Sequence, residues 1–194
     1  MKEVLDGYIG VKFEATQLDT ETPAGTRDLF PLFKRNAQRL KEFGMTPRNG
    51  GNISVKVDRG LAITSSGSNL GSLEEDEIVF VASCSIESGT VAYLGSRRPS
   101  SETFMHYLIY ECRPDAAAVV HAHDPATAAI PIRKIRETAR EEPYGTLALA
   151  RIACGTFSKH ENIIVLKNHG YVAIGQSLTA ATDLVVTTHL GLVT

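Results

Sequence analysis

The alternation of apolar and polar positions divides the chain into short strands and amphipathic helices. From residue 28 the period is helical: Leu29, Leu32, Phe33, Leu40 and Phe43 share one face, and Gly44 follows where such a helix would close. Thr26 or Asp28 is placed to cap it, and Pro31 is tolerated in the first turn. Beyond it the period falls to two. Residues 53–57 (ISVKV) alternate like a half-buried strand, Asp58-Arg59-Gly60 turns the chain, and residues 61–64 (LAIT) return. Residues 78–82 and 90–94 make a second pair, joined through Glu87-Ser88-Gly89. Connections this short join antiparallel strands, because a parallel pair needs a longer crossover.

A helix opens at Pro99-Ser100-Ser101-Glu102, either serine serving as cap, with Phe104, Leu108, Ile109 and Cys112 as its apolar stripe. The strand AAAVVHAHD, residues 116–124, follows it. Asp124-Pro125 signals a short helix over residues 126–130, and the charged residues 133–142 are expected to be solvated. Tyr144-Gly145-Thr146 leads into a helix to about residue 157. An apolar strand at 163–166 ends at Lys167-Asn168-His169-Gly170, with residues 171–174 as its hairpin partner or continuation. Ser177 caps a last helix carrying Leu178, Ala181, Val185 and Leu192. Residues 1–27 show no sustained period and read as an N-terminal arm or extension of one domain at 28–194. The sum is an α/β chain: an antiparallel or mixed sheet with helices on its faces.

Composition narrows the function classes. A chain of 194 residues suffices for one well-cored domain. A formal net charge of -2, without a basic run interleaved with aromatics, gives no case for nucleic acid. No segment has the length and apolarity of a signal peptide or a membrane span. Three widely spaced cysteines, Cys84, Cys112 and Cys154, suit reduced cytoplasmic thiols and read as small core residues.

The candidate chemistry starts in AAAVVHAHD. A strand sends alternate side chains to one face, so His121 and His123 point the same way. Packing does not ask for two imidazoles side by side on an apolar strand; a metal ion does, although an HxH pair alone is weak evidence. His169, at the end of another apolar strand and followed by a glycine, supplies a third ligand and leaves a position open for a substrate oxygen. His106 lies four residues beyond Glu102 on the same helical face and reads as a packed or supporting group, while His160 and His189 carry no ligand signal. The Gly/Ser loops at 49–52 and 65–72 could each be an ordinary turn, yet together they offer N–H groups and hydroxyls to an anion, and Ser100-Ser101 stand at a helix N-terminus whose dipole attracts one. Glu102 is favoured in a first helical turn for its charge alone, and a carboxylate there also suits acid/base work beside a metal.

GNIS (51–54), TSSG (64–67), PSSE (99–102), VVHAH (119–123) and NHG (168–170) stand in an order and spacing that resemble the class II aldolase/adducin family, from about Leu29 to the end. The joint match is specific although each motif is weak. The resemblance implies a three-layer α/β/α fold with a central, mainly antiparallel sheet, assembled as a homotetramer. It implies zinc, or another divalent transition metal, on His121, His123 and His169, with Glu102 as acid/base and a further ligand before substrate arrives. It implies a phosphate cradle of Gly51, Asn52, Ser66, Gly67, Ser100 and Ser101, and a role for Tyr144, in PYGT, in a neighbouring subunit's site. The implied activity is aldol cleavage or formation of a ketose 1-phosphate through the enediolate of dihydroxyacetone phosphate. Within the family, dehydration of methylthioribulose 1-phosphate is the rival; epimerisation of a pentulose phosphate is disfavoured, because those relatives carry aspartate in place of Glu102. A metal-free, adducin-like interaction module would lack the ligand histidines, and all three are present. The sugar-phosphate aldolases continue past the last helix with a tail that helps close the aldehyde pocket, whereas this chain ends at Thr194, which leaves the aldehyde specificity open.

Overall fold

A computed structural model describes residues 13–125 and 135–193. Nine strands form a single sheet: β1 (Glu14–Asp19), β2 (Asn52–Val57), β3 (Gly60–Thr64), β4 (Ile78–Ser85), β5 (Thr90–Leu94), β6 (Ala118–Ala122), β7 (Arg136–Glu137), β8 (Ile163–Leu166) and β9 (Gly170–Gly175). Their spatial order is β1-β5-β4-β3-β2-β6-β9-β8-β7. The edge pairings β1/β5 and β7/β8 are parallel, and every other pairing is antiparallel.

Strand alternation divides the core into two layers. On β6, Ala118, Val120 and Ala122 pack with Ile53 and Val55 of β2 under α2 (Phe30–Glu42) and α5 (Leu178–Val193). Val119 faces the other way, into a cluster with Phe104 and Ile109 of α3 (Thr103–Cys112) and Leu149 and Ala153 of α4 (Leu147–Thr156). The result is the expected α/β/α sandwich with a mainly antiparallel sheet. Truncating a fully buried residue such as Ile53 to alanine in such a core costs about 2–5 kcal/mol.

Several local expectations shift. The N-terminal extension is tied into the sheet, since β1 pairs with β5 and Phe13 is buried in the core. The α2 helix begins without a side-chain cap, because the short helix α1 (Ala24–Arg27) runs almost directly into it. The α3 helix starts later than its serines suggest. Ser100 Oγ accepts from the Glu102 N–H in a turn ahead of it. Its buried face is also rotated: His106 and Tyr110 lie inside with Phe104 and Ile109, whereas Leu108 is half-buried and Cys112 exposed. Cys84 and Cys154 are likewise only half-buried, so none of the three free thiols is a core residue. Within the charged segment, β7 adds an edge strand to β8 and Thr138 is buried. The short helix expected at 126–130 falls outside the described residues, and so does the Leu192 side chain. By contrast, Thr146 caps α4 and Ser177 accepts from the Ala180 N–H at the start of α5, as their positions indicate.

Candidate active site and metal centre

Three structural devices bring the histidines together. His121 stands on β6 on the face that looks toward α3, opposite Asn52 of β2. His123 follows just past the strand end, where its N–H donates to the Met45 carbonyl. His169 occupies the tight β8–β9 turn after Asn168, whose φ of 56° is left-handed. Gly170 permits the approach: a β-carbon there would lie 2.2 Å from the Ala122 carbonyl oxygen. Gly50 and Gly51 do the same from the other side. Added β-carbons would meet His123 Nδ1 at 2.9 Å and the His121 carbonyl oxygen at 2.8 Å. Gly51 thus serves close packing against the histidine strand, a reason for the glycine that the motif alone does not disclose.

The three imidazoles sit edge to face, with ring centroids 4.7, 4.7 and 4.9 Å apart, and one nitrogen from each lies within 4.8 Å of the others. His121 Nδ1 donates to the Tyr171 carbonyl at 2.8 Å, which fixes the tautomer and leaves Nε2 with its lone pair directed into the cluster. Burial first, then the neighbouring His169, holds His121 well below the usual histidine range. Burial, with His121 and His169 after it, lowers His123 to about 3. Neutral imidazoles are the form a metal takes up without displacing a proton.

Glu102 stands at the edge of this tripod and is 4 % exposed. Its Oε2 lies 3.3 Å from His121 Nε2 and accepts from Asn52 Nδ2 at 2.7 Å. Its Oε1 lies 3.9 Å from His169 Nε2 and has no hydrogen-bond partner. A buried, unpartnered carboxylate oxygen beside three imidazoles fits a divalent cation in charge and in donor type. Among the described residues His121, His123 and His169 are the only grouping of three or more His, Cys, Asp or Glu side chains close enough to hold one.

Two loops of the expected anion cradle lie side by side. Ser65 bridges to Pro99, the Ser66 N–H donates to the Arg98 carbonyl at 2.9 Å and the Ser100 N–H to the Thr64 carbonyl at 3.1 Å. This zips the loop of Ser66 and Gly67 against the loop of Ser100 and Ser101. The Asn52 carboxamide is occupied by Glu102 and by His106. Tyr144 is half-buried against the apolar cluster beneath α3 and α4 of its own chain. The next residue, Gly145 (φ 67°), packs on Ser101, where a β-carbon would come within 3.0 Å of the carbonyl oxygen.

Two features escaped the sequence. Behind Glu102 runs a buried polar seam: His106 Nε2 lies 2.5 Å from Asn52 Oδ1, His106 Nδ1 2.7 Å from Ser54 Oγ, and Ser54 Oγ 2.8 Å from the Tyr110 hydroxyl. His106 is fully buried, and that burial lowers it to about 4. Its supporting role was expected; its partners were not. The second feature is Asp124, buried next to His123, which accepts from His189 Nδ1 at 2.8 Å. His160 is exposed, as its setting suggests. A cleft of about 260 Å³ opens beside His123 and His169, lined also by Pro47, Glu137 and Asn168. No helix among the described residues is long and apolar enough to cross a membrane.

Known proteins resemble the chain in sequence and in fold. The Class II Aldolase and Adducin N-terminal domain matches residues 35–190. The L-fuculose phosphate aldolase of Methanococcus vannielii is 34% identical over 148 residues, 69% of this chain and 76% of that protein. The 5-methylthioribulose-1-phosphate/5-deoxyribulose-1-phosphate aldolase of Rhodospirillum rubrum is 31% identical over 166 residues, 77% and 72% of the two chains. A solved L-fuculose 1-phosphate aldolase superposes with a TM-score of 0.69 at 26% identity, covering 88% of this chain and 83% of the other. By sequence and by fold, the chain belongs to the class II aldolase and adducin family.

Proposed function

We propose that this protein is a metal-dependent class II aldolase that cleaves or forms a ketose 1-phosphate. The observation that carries the reading is the bare Oε1 of Glu102, buried at the edge of three clustered imidazoles. A Glu102 turned outward, or a histidine missing from the tripod, would have favoured the interaction-module reading. His121, His123 and His169 would hold the ion, with Glu102 in reach as a fourth ligand while substrate is absent. Zinc suits this donor set, and manganese, iron or cobalt could occupy it. When bound, such an ion supplies Lewis acidity toward the carbonyl and hydroxyl oxygens of the sugar.

The chain's own groups do the rest. Hydroxyls around Gly51, Asn52, Ser66, Gly67, Ser100 and Ser101, with the backbone N–H groups not spent in bonds between these loops, hold the phosphate, which fixes the carbon to be deprotonated. In the bond-forming direction, Glu102 Oε1 takes a proton from the hydroxymethyl carbon of dihydroxyacetone phosphate. The electron pair left on that carbon attacks the aldehyde carbon, and the aldehyde oxygen receives a proton to become the new hydroxyl. Cleavage runs these transfers backward. Tyr144 is the proposed donor at the aldehyde oxygen, acting across a homotetramer interface. Co-expressed Glu102→Gln and Tyr144→Phe chains should regain part of the cleavage activity that each lacks; verified mixed oligomers without recovery would remove the assignment in trans.

Product analysis tests the reaction. Incubated with L-fuculose 1-phosphate or 5-methylthioribulose 1-phosphate, the metal-replete protein should release dihydroxyacetone phosphate and the corresponding aldehyde. Loss of water without carbon–carbon cleavage would replace the aldolase by a dehydratase, and no turnover of any ketose phosphate would remove both.

A further inference from the structure

The seam behind Glu102 has one end condition from which every proton in it follows. Asn52 Nδ2 donates to Glu102 Oε2 (2.7 Å), which turns Asn52 Oδ1, an acceptor only, toward His106 Nε2 (2.5 Å). His106 Nε2 therefore carries the ring hydrogen and Nδ1 the lone pair. The Ser54 hydroxyl must then spend its single hydrogen on Nδ1 (2.7 Å), which leaves the Ser54 oxygen to accept from the Tyr110 hydroxyl (2.8 Å). All four bonds donate toward Glu102. The geometry of the backbone makes this possible: Glu102, His106 and Tyr110 fall on one stripe at the start of and along α3, while Asn52 and Ser54 fall on one face of β2. Ser54 and His106 are fully buried and Tyr110 is 4 % exposed, so no water substitutes for a missing partner without cost.

We propose that His106, as the Nε2–H tautomer, is the positioning residue of the catalytic base: through Asn52 it pins Glu102 Oε2 and leaves Oε1 as the oxygen that exchanges protons with substrate. Head-to-tail bonds of one sense polarise one another, and the positive end of the row meets the carboxylate. The carboxylate is thereby held against rotation, so that its unpartnered oxygen keeps one direction in the site. Ser54 and Tyr110 set the tautomer from the other end. This rests on the acid/base role proposed for Glu102, but the tautomer does not.

Two measurements test it. In wild-type protein, nitrogen NMR of the His106 ring, assigned by its loss in His106→Gln, should show a protonated Nε2 and a bare Nδ1. Protonation at Nδ1 would mean that the row runs in the opposite sense, and would overturn the proposal. In the kinetic arm, His106→Met removes the donor at similar size, whereas the terminal amide of His106→Gln reaches the place of Nε2 and can still donate to Asn52. The methionine variant should lose about 10²-fold in kcat with KM and bound metal unchanged, the scale of a misplaced catalytic group, and glutamine should recover most of it. Equal losses in both variants, or a loss confined to KM or to metal content, would reduce His106 to packing. The ring measurement needs no substrate. An absence of cleavage activity in wild type would therefore count against the aldolase reading, and a proton on Nδ1 against the relay.

Discussion

Replacing His123 by alanine is expected to strip the divalent ion from the purified protein and abolish turnover while the fold stays in place. His123 lies past the end of β6 and is partly exposed, so its loss opens no large cavity in the core. It does remove one of three ring nitrogens that lie within 4.8 Å of one another. Losing an outer partner of a metal ligand weakens affinity by about 10–100-fold, and losing a ligand itself should exceed that. His121→Ala should have the same effect on metal with an added stability cost, because it leaves the buried Tyr171 carbonyl without its donor, about 1–3 kcal/mol. Elemental analysis beside circular dichroism separates the two effects. Full metal occupancy in the His121/His123 double variant would place the ion elsewhere.

The second large effect is expected from Glu102→Gln. Asn52 Nδ2 already donates to Oε2, so the new amide should set its carbonyl oxygen there and its NH2 at the position of Oε1. The shape and the hydrogen bond survive; the lone pair that takes the proton does not. Cleavage should fall by roughly 10²–10⁴-fold, the usual worth of a general base. Affinity for a phosphorylated enediolate analogue should stay within a few-fold of wild type. Turnover near the wild-type rate would assign proton transfer to another group.

How much of this was legible depended on whether the signal was local. The strand bearing His121 announces itself in two valines and an HxH, and alternation alone places both rings on one face. The β8–β9 hairpin brings His169 to them because its two strands are adjacent in sequence as well as in space. The polar seam was half legible: Glu102, His106 and Tyr110 show helical spacing, and Asn52 and Ser54 show strand spacing. That the two rows meet depends on β2 lying beside β6 under α3, a pairing across tens of residues that no periodicity reports. The Asp124–His189 pair joins residues 65 positions apart and left no trace in either segment. At the sheet edges the pattern fails for a different reason. Strand β1 is exposed on most of its length, and β7 is two residues long, so neither has an apolar face to alternate. The helix stripe of α3 was misread because burial there selects for hydrogen-bonding partners, His106 and Tyr110, that a hydrophobic pattern counts as polar.

The central claim is that Glu102, beside a metal held by His121, His123 and His169, moves a proton at carbon on a ketose phosphate. The most direct test is hydrogen exchange into dihydroxyacetone phosphate in deuterated water, followed by NMR with no aldehyde present. Metal-replete wild-type protein should exchange one hydroxymethyl hydrogen stereospecifically, lose that exchange on chelation and regain it when the divalent ion is restored. Exchange that persists in Glu102→Gln or in the chelated protein, or none in the metal-replete wild type, would contradict it.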